Sequence, residues 1–303
     1  MVTSSSARQS WARTTTRSAT TESVILTPKG WEDHRLLDSG EGRRLERFGP
    51  FTLDRPESAA LWRRGSPTAW ANADARFDDR WTCRREMPDQ WPMTYAPLDL
   101  RFFASLTPFR HTGVFPEQAS HWLWLADRAR RAPTPPRVLV LFGYTGLTTL
   151  ALARSGAHVT HVDASRPAMT WARENAAASG LDRHPIRWLI DDVVRFLRRE
   201  ARRDSRYDGI VMDPPAFGRG PSGELWRFAD SLPELIELCR SVLAPEPRFL
   251  VLNAYAVVGT PTMIGNVMDD LAPSGGHRES GEMAIEGGGR VLPTGMFSRW
   301  AAA

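Results

Sequence analysis

The sequence predicts an α/β fold built around a mostly parallel sheet, and two observations carry this prediction. Between Val138 and Phe217, short apolar runs of strand length alternate with segments of helical spacing, which is the pattern of strands connected by covering helices. Each apolar run ends in a glycine turn or in a carboxylate. Ligands of such sheets bind beyond the carboxyl ends of the strands, so we expect the functional site there.

The first strand is predicted at Val138–Phe142, an entirely apolar run that is typical of a strand buried on both faces. The turn Gly143-Tyr-Thr-Gly146 follows directly, and its glycines let the backbone come close to a ligand. Residues 147–154 then have helical spacing, and Gly156 is placed where a helix ends.

Three later strands end in acidic residues. Residues 158–163 end in Asp163, the next strand ends in the pair Asp191 and Asp192, and residues 207–213 end in Asp213. Further strands are predicted at 248–253, 282–285 and 291–300, the last two as an antiparallel pair.

Residues 24–105 are predicted to form a small, β-rich α+β domain. Strands are expected at 31–38 and 43–53, because the hairpin signal Ser39-Gly-Glu-Gly42 separates two runs of strand character. A short helix is expected at 59–63. The remaining predictions are strands at 81–85 and 98–106 and turns at Pro88, Pro92 and Pro97.

Composition and charge limit the classes of function. The 303 residues carry a formal net charge of +4, and no apolar run is long enough to cross a membrane. The two cysteines, Cys83 and Cys239, form neither a disulfide framework nor a zinc motif, so we expect a cytoplasmic protein without a metal site. Residues 1–23 are rich in Ser and Thr without apolar periodicity and are expected to form a disordered tail. The oligomeric state is left open.

The class of ligand follows from two of the strand ends. The nicotinamide fingerprint G-x-G-x-x-G is absent from the turn. Asp163 lies about 20 residues past the turn, where a carboxylate accepts hydrogen bonds from a ribose in dinucleotide sites and in S-adenosylmethionine (SAM) sites alike. The segment Asp213-Pro-Pro-Ala-Phe217 decides between them, because it resembles the motif of class I SAM-dependent methyltransferases that act on planar nitrogen groups.

Further segments extend this likeness to the large-subunit ribosomal RNA methyltransferases of the I and K type. It is closer still to a little-characterised branch known only as SAM-dependent methyltransferases, and it covers roughly residues 30 to 300. The segments that carry it are 111–118, 141–146, 162–165, 172–175, 191–192 and 212–217.

The resemblance implies a fold, a cofactor and a division of the chain. Residues 106–303 would form a Rossmann-like class I methyltransferase domain with a seven-stranded, mostly parallel sheet whose last strand is antiparallel. The small domain at 24–105 would precede it, as in the family. The cofactor would be SAM, and the substrate would be RNA, without a membrane or metal partner.

The expected cofactor-binding residues lie at the first three strand ends and in the loop before them. The turn would face the methionine part of SAM, Asp163 would accept from both ribose hydroxyls, and Asp192 or Asp191 would accept from the adenine amino group. In the family, the loop that contains His111 forms a lip over SAM. The complete set is Phe142, Gly143, Tyr144, Thr145, Gly146, Asp163, Ala164, Asp191, Asp192, His111 and Thr112.

The expected catalytic residues are Asp213, Pro214, Pro215 and Phe217. A base amine is a poor nucleophile because its lone pair is conjugated into the ring. The Asp213 carboxylate and the Pro214 carbonyl would both accept from that amine and orient it, and Phe217 would stack on the extruded base. For a ring nitrogen, Asp213 would only orient the base.

The function that follows is methylation of a nitrogen of a base in ribosomal RNA. Carbon methylation of cytosine needs a cysteine nucleophile, and neither the fourth nor the fifth strand ends in one. The alternatives are a methyltransferase for a protein amide or a small metabolite, and a non-catalytic module that binds SAM or RNA. Val140, where the family often has Asn, slightly favours the non-catalytic alternative.

Overall fold

The computed structural model describes residues 24–65 and 67–303. The tail expected at residues 1–23 lies outside this part of the chain. The described strands are β1 (Val24–Leu26), β2 (His34–Gly40), β3 (Arg43–Phe48), β4 (Phe51–Pro56), β5 (Ala75–Phe77), β6 (Trp81–Cys83), β7 (Trp91–Tyr95), β8 (Leu100–Ala104), β9 (Arg137–Leu141), β10 (His158–Asp163), β11 (Ile186–Ile190), β12 (Gly209–Met212), β13 (Phe217–Arg219), β14 (Leu225–Arg227), β15 (Phe249–Ala254), β16 (His277–Gly287) and β17 (Arg290–Ala301). The described α-helices are α1 (Pro67–Ala71), α2 (Ala119–Arg131), α3 (Leu147–Arg154), α4 (Arg166–Ala178), α5 (Val193–Arg202), α6 (Phe228–Ser241) and α7 (Pro261–Leu271).

Seven strands form the sheet that the sequence predicts, in the order β11-β10-β9-β12-β15-β17-β16. Strands β9, β10, β11, β12 and β15 pair in parallel. Strand β17 is antiparallel to both of its neighbours, β15 and β16. The predicted α/β fold, with its mostly parallel sheet and antiparallel last strand, is therefore confirmed.

The central strand β9 is apolar throughout because both of its faces are covered. Leu139 and Leu141 belong to a hydrophobic cluster with residues of α5, α6 and α7. Val138 and Val140 alternate with them along the strand and pack with residues of α2 and α3. An apolar run without alternation is therefore required here.

The sheet continues from β16 into the N-terminal part of the chain. Strand β2 pairs in parallel with β16 at Leu36 and Gly287, and β1 pairs with β16 as well. A single hydrophobic cluster contains Phe102 of β8, Trp122 of α2 and Leu150 of α3. The division of the chain between residues 105 and 106 stays a prediction. The hydrophobic cluster contains residues from both sides of it.

The prediction of one strand at residues 43–53 is wrong. These residues form the antiparallel strands β3 and β4, which are joined after Phe48 and before Phe51. Gly49 adopts a φ of 57° at this point, a conformation that glycine reaches without steric cost.

The prediction of a helix at residues 59–63 is also wrong. The carbonyl groups of Ala60 and Trp62 accept hydrogen bonds from the amides of Gly42 and Glu41, over 2.8 and 2.7 Å. These residues are thus tied to the tip of the β2–β3 hairpin, and their backbone groups are not available for a helical ladder.

Four strand ends meet at one edge of the sheet, since β10, β9, β12 and β15 are neighbours. Met212 is in register with Leu141 on one side and with Leu252 on the other. The residues that follow these strand ends therefore lie side by side. In the part of the chain that the structure describes, no helix is both long and apolar enough to cross a membrane.

Candidate active site

A cavity of about 890 Å³ opens at this edge of the sheet, a size that suits a cofactor together with part of a substrate. Most of the predicted site residues line it: Phe142, Gly143, Tyr144, Thr145, Asp163, Ala164, Asp192, His111, Asp213, Pro214 and Pro215. Gly146, Thr112, Asp191 and Phe217 do not line it.

The turn after β9 has an unusual backbone. Phe142 and Tyr144 adopt φ values of 56° and 49°, and Gly146 adopts 84°. A Cβ on Gly143 would lie 2.3 Å from Cε1 of His161, so only glycine fits between the cavity and this buried ring. The turn is held in a strained shape, as is common at ligand sites.

Asp163 holds the turn from the end of β10. Its Oδ2 accepts a hydrogen bond from the Tyr144 amide, and its Oδ1 accepts one from the Ser165 amide, both over 2.8 Å. Burial raises the pKa of the carboxyl group, while the two amide bonds act in the opposite direction. Each oxygen retains a lone pair for a further donor.

The two neighbouring acids after β11 are directed to different places. Asp192 lines the cavity and caps α5, because its Oδ1 accepts from the Arg195 amide over 2.8 Å. Asp191 forms ion pairs with Arg195 and Arg199 outside the cavity. Burial opposes the ionisation of Asp191, but these two guanidinium groups hold its pKa below the usual value.

The loop before α2 closes one side of the cavity. Burial, together with the charges of Arg55 and Arg110, lowers the pKa of His111 to about 4, so its ring is neutral at pH 7. Thr112 is buried, and its hydroxyl group donates to the Val114 carbonyl over 3.3 Å. The Thr145 hydroxyl donates to the Gly113 carbonyl over 2.7 Å and joins this loop to the turn.

The far end of the cavity is organised around Asp213, the residue that follows β12. Gln118 Nε2 donates to Asp213 Oδ2 over 3.1 Å and to the Tyr255 hydroxyl over 2.9 Å. Gln118 Oε1 in turn accepts from Asn253 Nδ2 over 3.2 Å. Burial raises the pKa of Asp213 to about 7, and the negative charge of Glu117 adds to this shift.

Phe217 lies outside the cavity that Asp213 lines. It begins β13, and 58% of its surface is exposed. Strand β13 pairs with β14, and Trp226 of β14 lines the cavity instead. Its Nε1 donates to the Pro215 carbonyl over 2.6 Å, and its ring lies 4.9 Å from that of Phe142.

Comparison with known proteins identifies the family. The profile of the S-adenosylmethionine-dependent methyltransferases matches residues 79–246, more than half of the chain. The chain belongs to this family. A solved SAM-dependent methyltransferase from Agrobacterium tumefaciens is 43% identical, with a TM-score of 0.88 over 92% of this chain and 94% of that one.

Curated relatives of this methyltransferase carry more specific names. "Ribosomal RNA large subunit methyltransferase I" of Salmonella newport is 28% identical over 82% of this chain and 66% of its own length. The protein of the same name from Klebsiella pneumoniae is 39% identical over 49% of this chain and 37% of its own length. The chain thus spans about two thirds of the Salmonella relative and just over a third of the Klebsiella one. A structure described as SMU.776 with bound SAH shares the fold, at 17% identity and a TM-score of 0.71 over 90% of this chain and 76% of that one.

The family confirms the predicted cofactor, SAM, and the predicted class of enzyme. The residues at the turn fit this cofactor. The lone pairs left on the Asp163 carboxylate suit a pair of ribose hydroxyl groups, and the cavity is large enough for SAM and an acceptor group.

Sequence reasoning missed several residues of the site. Asn253 and Tyr255 lie at the carboxyl end of β15, which ends at Ala254, and the position of ligand sites at strand ends is the signal that could have identified them. Gln118 lies inside a segment that carries the family resemblance. Arg44 and Glu57 line the cavity from the N-terminal part of the chain, and nothing in the sequence pattern points to them.

Proposed function

We propose that this methyltransferase transfers a methyl group to a nitrogen of a base in ribosomal RNA. The observation that carries the proposal is Asp213 in the cavity, with one carboxylate oxygen held by Gln118. Its Oδ1 has no hydrogen-bond partner among the described residues. The names of the curated relatives support RNA as the substrate, and we keep a cytoplasmic location as part of the proposal.

The cofactor end of the cavity holds SAM in this proposal. The backbone of residues 142–146 faces the methionine part, Asp163 and Ala164 bind the ribose, and Asp192 accepts from the adenine amino group. His111 and Thr112 belong to the loop that covers the cofactor. Asp191 supports the site indirectly, because it forms ion pairs with Arg195 and Arg199 of α5.

Bound SAM supplies an electrophilic methyl group that needs only a nucleophile in line with it. The chain therefore acts mainly by positioning the acceptor and excluding water. Asp213 Oδ1 accepts an N–H of the acceptor nitrogen and turns its lone pair toward the methyl group. A carboxylate whose pKa is about 7 is also suited to take the proton that this nitrogen loses.

The structure argues against carbon methylation of cytosine. The thiol of Cys239 is buried, donates to Met212 Sδ over 3.5 Å and does not line the cavity. Burial also raises the pKa of this thiol, which keeps it protonated. Cys83 is exposed on β6 in the N-terminal part of the chain and does not line the cavity either.

The proposal is tested with purified protein, radiolabelled SAM and ribosomal RNA from a strain that lacks the gene. The RNA is digested to nucleosides and the labelled product is identified. A methylated base nitrogen is the expected result. Labelled 5-methylcytosine would contradict the argument from the cysteines, and label that appears only in protein or in a metabolite would remove RNA as the substrate.

A further inference from the structure

Glu117 is a buried carboxylate that nothing described so far explains. It lies in the 3₁₀ turn Pro116–Gln118, lines the cavity and is 2% exposed. Its Oε2 has no hydrogen-bond partner among the residues that the structure describes. Since buried polar atoms are nearly always bonded, this oxygen points to a donor that comes from a ligand.

The position of Glu117 is fixed by the structure around it. The preceding residue, Pro116, accepts a hydrogen bond at its carbonyl group from Trp31 Nε1 over 3.0 Å. The following residue, Gln118, is bonded to Asp213 and Tyr255. The backbone of Glu117 is thus held from both sides at the edge of the cavity.

The buried ion cluster of the N-terminal region does not neutralise Glu117. Arg55 Nη2 lies 2.5 Å from Glu46 Oε2, and Arg44 Nε lies 3.1 Å from the same oxygen. The second contact of Arg44 is with Glu57, at 3.8 Å. Both guanidinium groups are therefore ion-paired with other carboxylates. The positive charge of Arg44 acts on Glu117 electrostatically, without a hydrogen bond between the two side chains.

A second buried acceptor lies in the same part of the cavity. Asn253 is 1% exposed and lines the cavity, and its Oδ1 has no hydrogen-bond partner among the described residues, whereas its Nδ2 donates to Gln118. With Asp213 and Glu117, this end of the cavity therefore presents several acceptors, and the guanidinium group of Arg44, which also lines the cavity, is ion-paired with Glu46 and Glu57. This end would repel a ring nitrogen that offers a lone pair beside a carbonyl oxygen, as guanine N7 does.

We propose that Glu117 and Asp213 together bind the two N–H groups of an exocyclic amine, so that the acceptor is an NH₂ group and not a ring nitrogen or a carbon. This inference rests on the proposed function and specifies its substrate. An amine needs two acceptors to hold both of its N–H bonds while the lone pair is turned to the methyl group. Glu117 supplies the second acceptor beside Asp213.

The atoms of the transfer balance in this arrangement. The nitrogen lone pair forms the N–C bond, and the bond between the methyl carbon and sulfur breaks with its electron pair left on sulfur. The nitrogen then loses one proton to Asp213 Oδ1. The remaining N–H stays bonded to Glu117 until the product leaves.

The first test identifies the methylated atom with the wild-type enzyme, radiolabelled SAM, deproteinised ribosomal RNA and, separately, ribosomal proteins. Label on an amino nitrogen supports the inference, and label on a ring nitrogen or a carbon overturns it. An amino nitrogen labelled in protein supports the acceptor chemistry and overturns the RNA proposal. A ring nitrogen labelled in RNA supports the RNA proposal and overturns the inference that the acceptor is an amine. No label in either fraction overturns both.

The second test compares Glu117→Gln with Glu117→Asp, and uses Glu237→Gln on the exposed face of α6 as the matched control. Glu117→Gln is expected to reduce kcat/KM for the acceptor by about 10- to 100-fold, the scale of a lost hydrogen bond to a charged group. The affinity for S-adenosylhomocysteine is expected to stay unchanged, and Glu117→Asp is expected to recover part of the activity.

The pH profile separates this role from a merely structural one. Because the charge of Glu117 raises the pKa of Asp213, Glu117→Gln is expected to move the acidic limb of the rate profile to lower pH. Wild-type kcat/KM in Glu117→Gln, or an unmoved acidic limb, would overturn the role of Glu117. The product analysis with wild-type enzyme decides the acceptor even where a variant is unstable.

Discussion

Gln118 donates a hydrogen bond to Asp213 Oδ2 over 3.1 Å and so connects the loop before α2 to the carboxyl end of β12. The same amide nitrogen is bonded to the hydroxyl group of Tyr255, which follows β15. One side chain therefore orients two residues of the proposed acceptor site that lie far apart in the sequence.

Gln118→Ala is expected to lower kcat by roughly tenfold, because Asp213 loses a donor that fixes its orientation. Loss of this donor also raises the pKa of Asp213, so the acidic limb of the rate profile should move to higher pH. Steady-state kinetics between pH 5 and 9 would check both effects. Gln90→Ala is the control, since Gln90 is exposed and donates only to Glu174 among the described residues; equal profiles for the two variants would contradict the prediction.

Asp213→Asn is expected to abolish turnover and to leave the affinity for SAM unchanged, because the residue lies at the acceptor end of the cavity. In the wild-type enzyme, the rate should fall as the pH drops through about 7, where the Asp213 carboxylate becomes protonated. Isothermal titration with SAM and single-turnover kinetics would measure these effects. A variant that retains turnover would exclude Asp213 as the residue that orients the acceptor.

Asp213 should also affect stability, with a definite sign. Its pKa is raised to about 7 in the folded protein, above the value in an unfolded chain. The folded state thus holds the proton more tightly, and the contribution of Asp213 to stability falls as the pH rises from about 4 to 7. Asparagine does not ionise, so the Asp213→Asn variant does not lose this stability as the pH rises. Denaturant titrations should therefore show that the variant is more stable than wild type at pH 8 but not at pH 4.

Asp163→Ala is expected to weaken the binding of S-adenosylhomocysteine by about 1–3 kcal/mol, the scale of lost charge-assisted hydrogen bonds. Part of the loss comes from the turn itself, because the Tyr144 amide loses its acceptor. Titration calorimetry would measure the change, with Asp182→Ala on an exposed loop as the control. Unchanged affinity in Asp163→Ala would remove the second strand from the cofactor site.

Gly143→Ala is expected to lower the melting temperature and to reduce SAM affinity together. The added methyl group would lie 2.3 Å from the His161 ring, which is buried and bonded to the Thr149 hydroxyl through Nδ1 over 2.8 Å. Either the ring or the turn must shift. Gly65→Ala is a suitable control, because its added methyl group meets the Asp38 side chain only at ordinary contact distances of 3.4 Å and above. Equal melting temperatures would contradict the prediction.

The catalytic half of the fold was predictable because each of its signals is local. The prediction of a helix at residues 147–154 and of a strand at 158–163 matches α3 and β10 residue for residue. The signals of this half lie within a few positions of each other in the sequence: the apolar runs of the strands, the glycine turn and the carboxylates at the strand ends. Parallel strand ends must also meet at one edge, so the cofactor end of the site followed from their order.

The N-terminal region was harder to predict because tertiary contacts override local signals there. Strand β7 includes Pro92, which was predicted as a turn. The proline is tolerated because, among the described strands, β7 pairs only with β8. Outside this region, helix α7 was not predicted either. Asp213 and the two prolines after it were predicted at the acceptor end of the site, but Arg44, Glu57 and Glu117 were missed, since contacts between distant parts of the chain bring them to the cavity.

The sheet joins strands that are very distant in the sequence. Strands β1 and β2 pair with β16, so almost the whole sequence lies between the partners. During synthesis, the N-terminal strands therefore emerge long before their partner does, and their pairing depends on very distant contacts. Glu282 of β16 and Thr294 of β17 line the cavity as well. A growing chain thus has an incomplete cavity until the β16–β17 hairpin has left the ribosome.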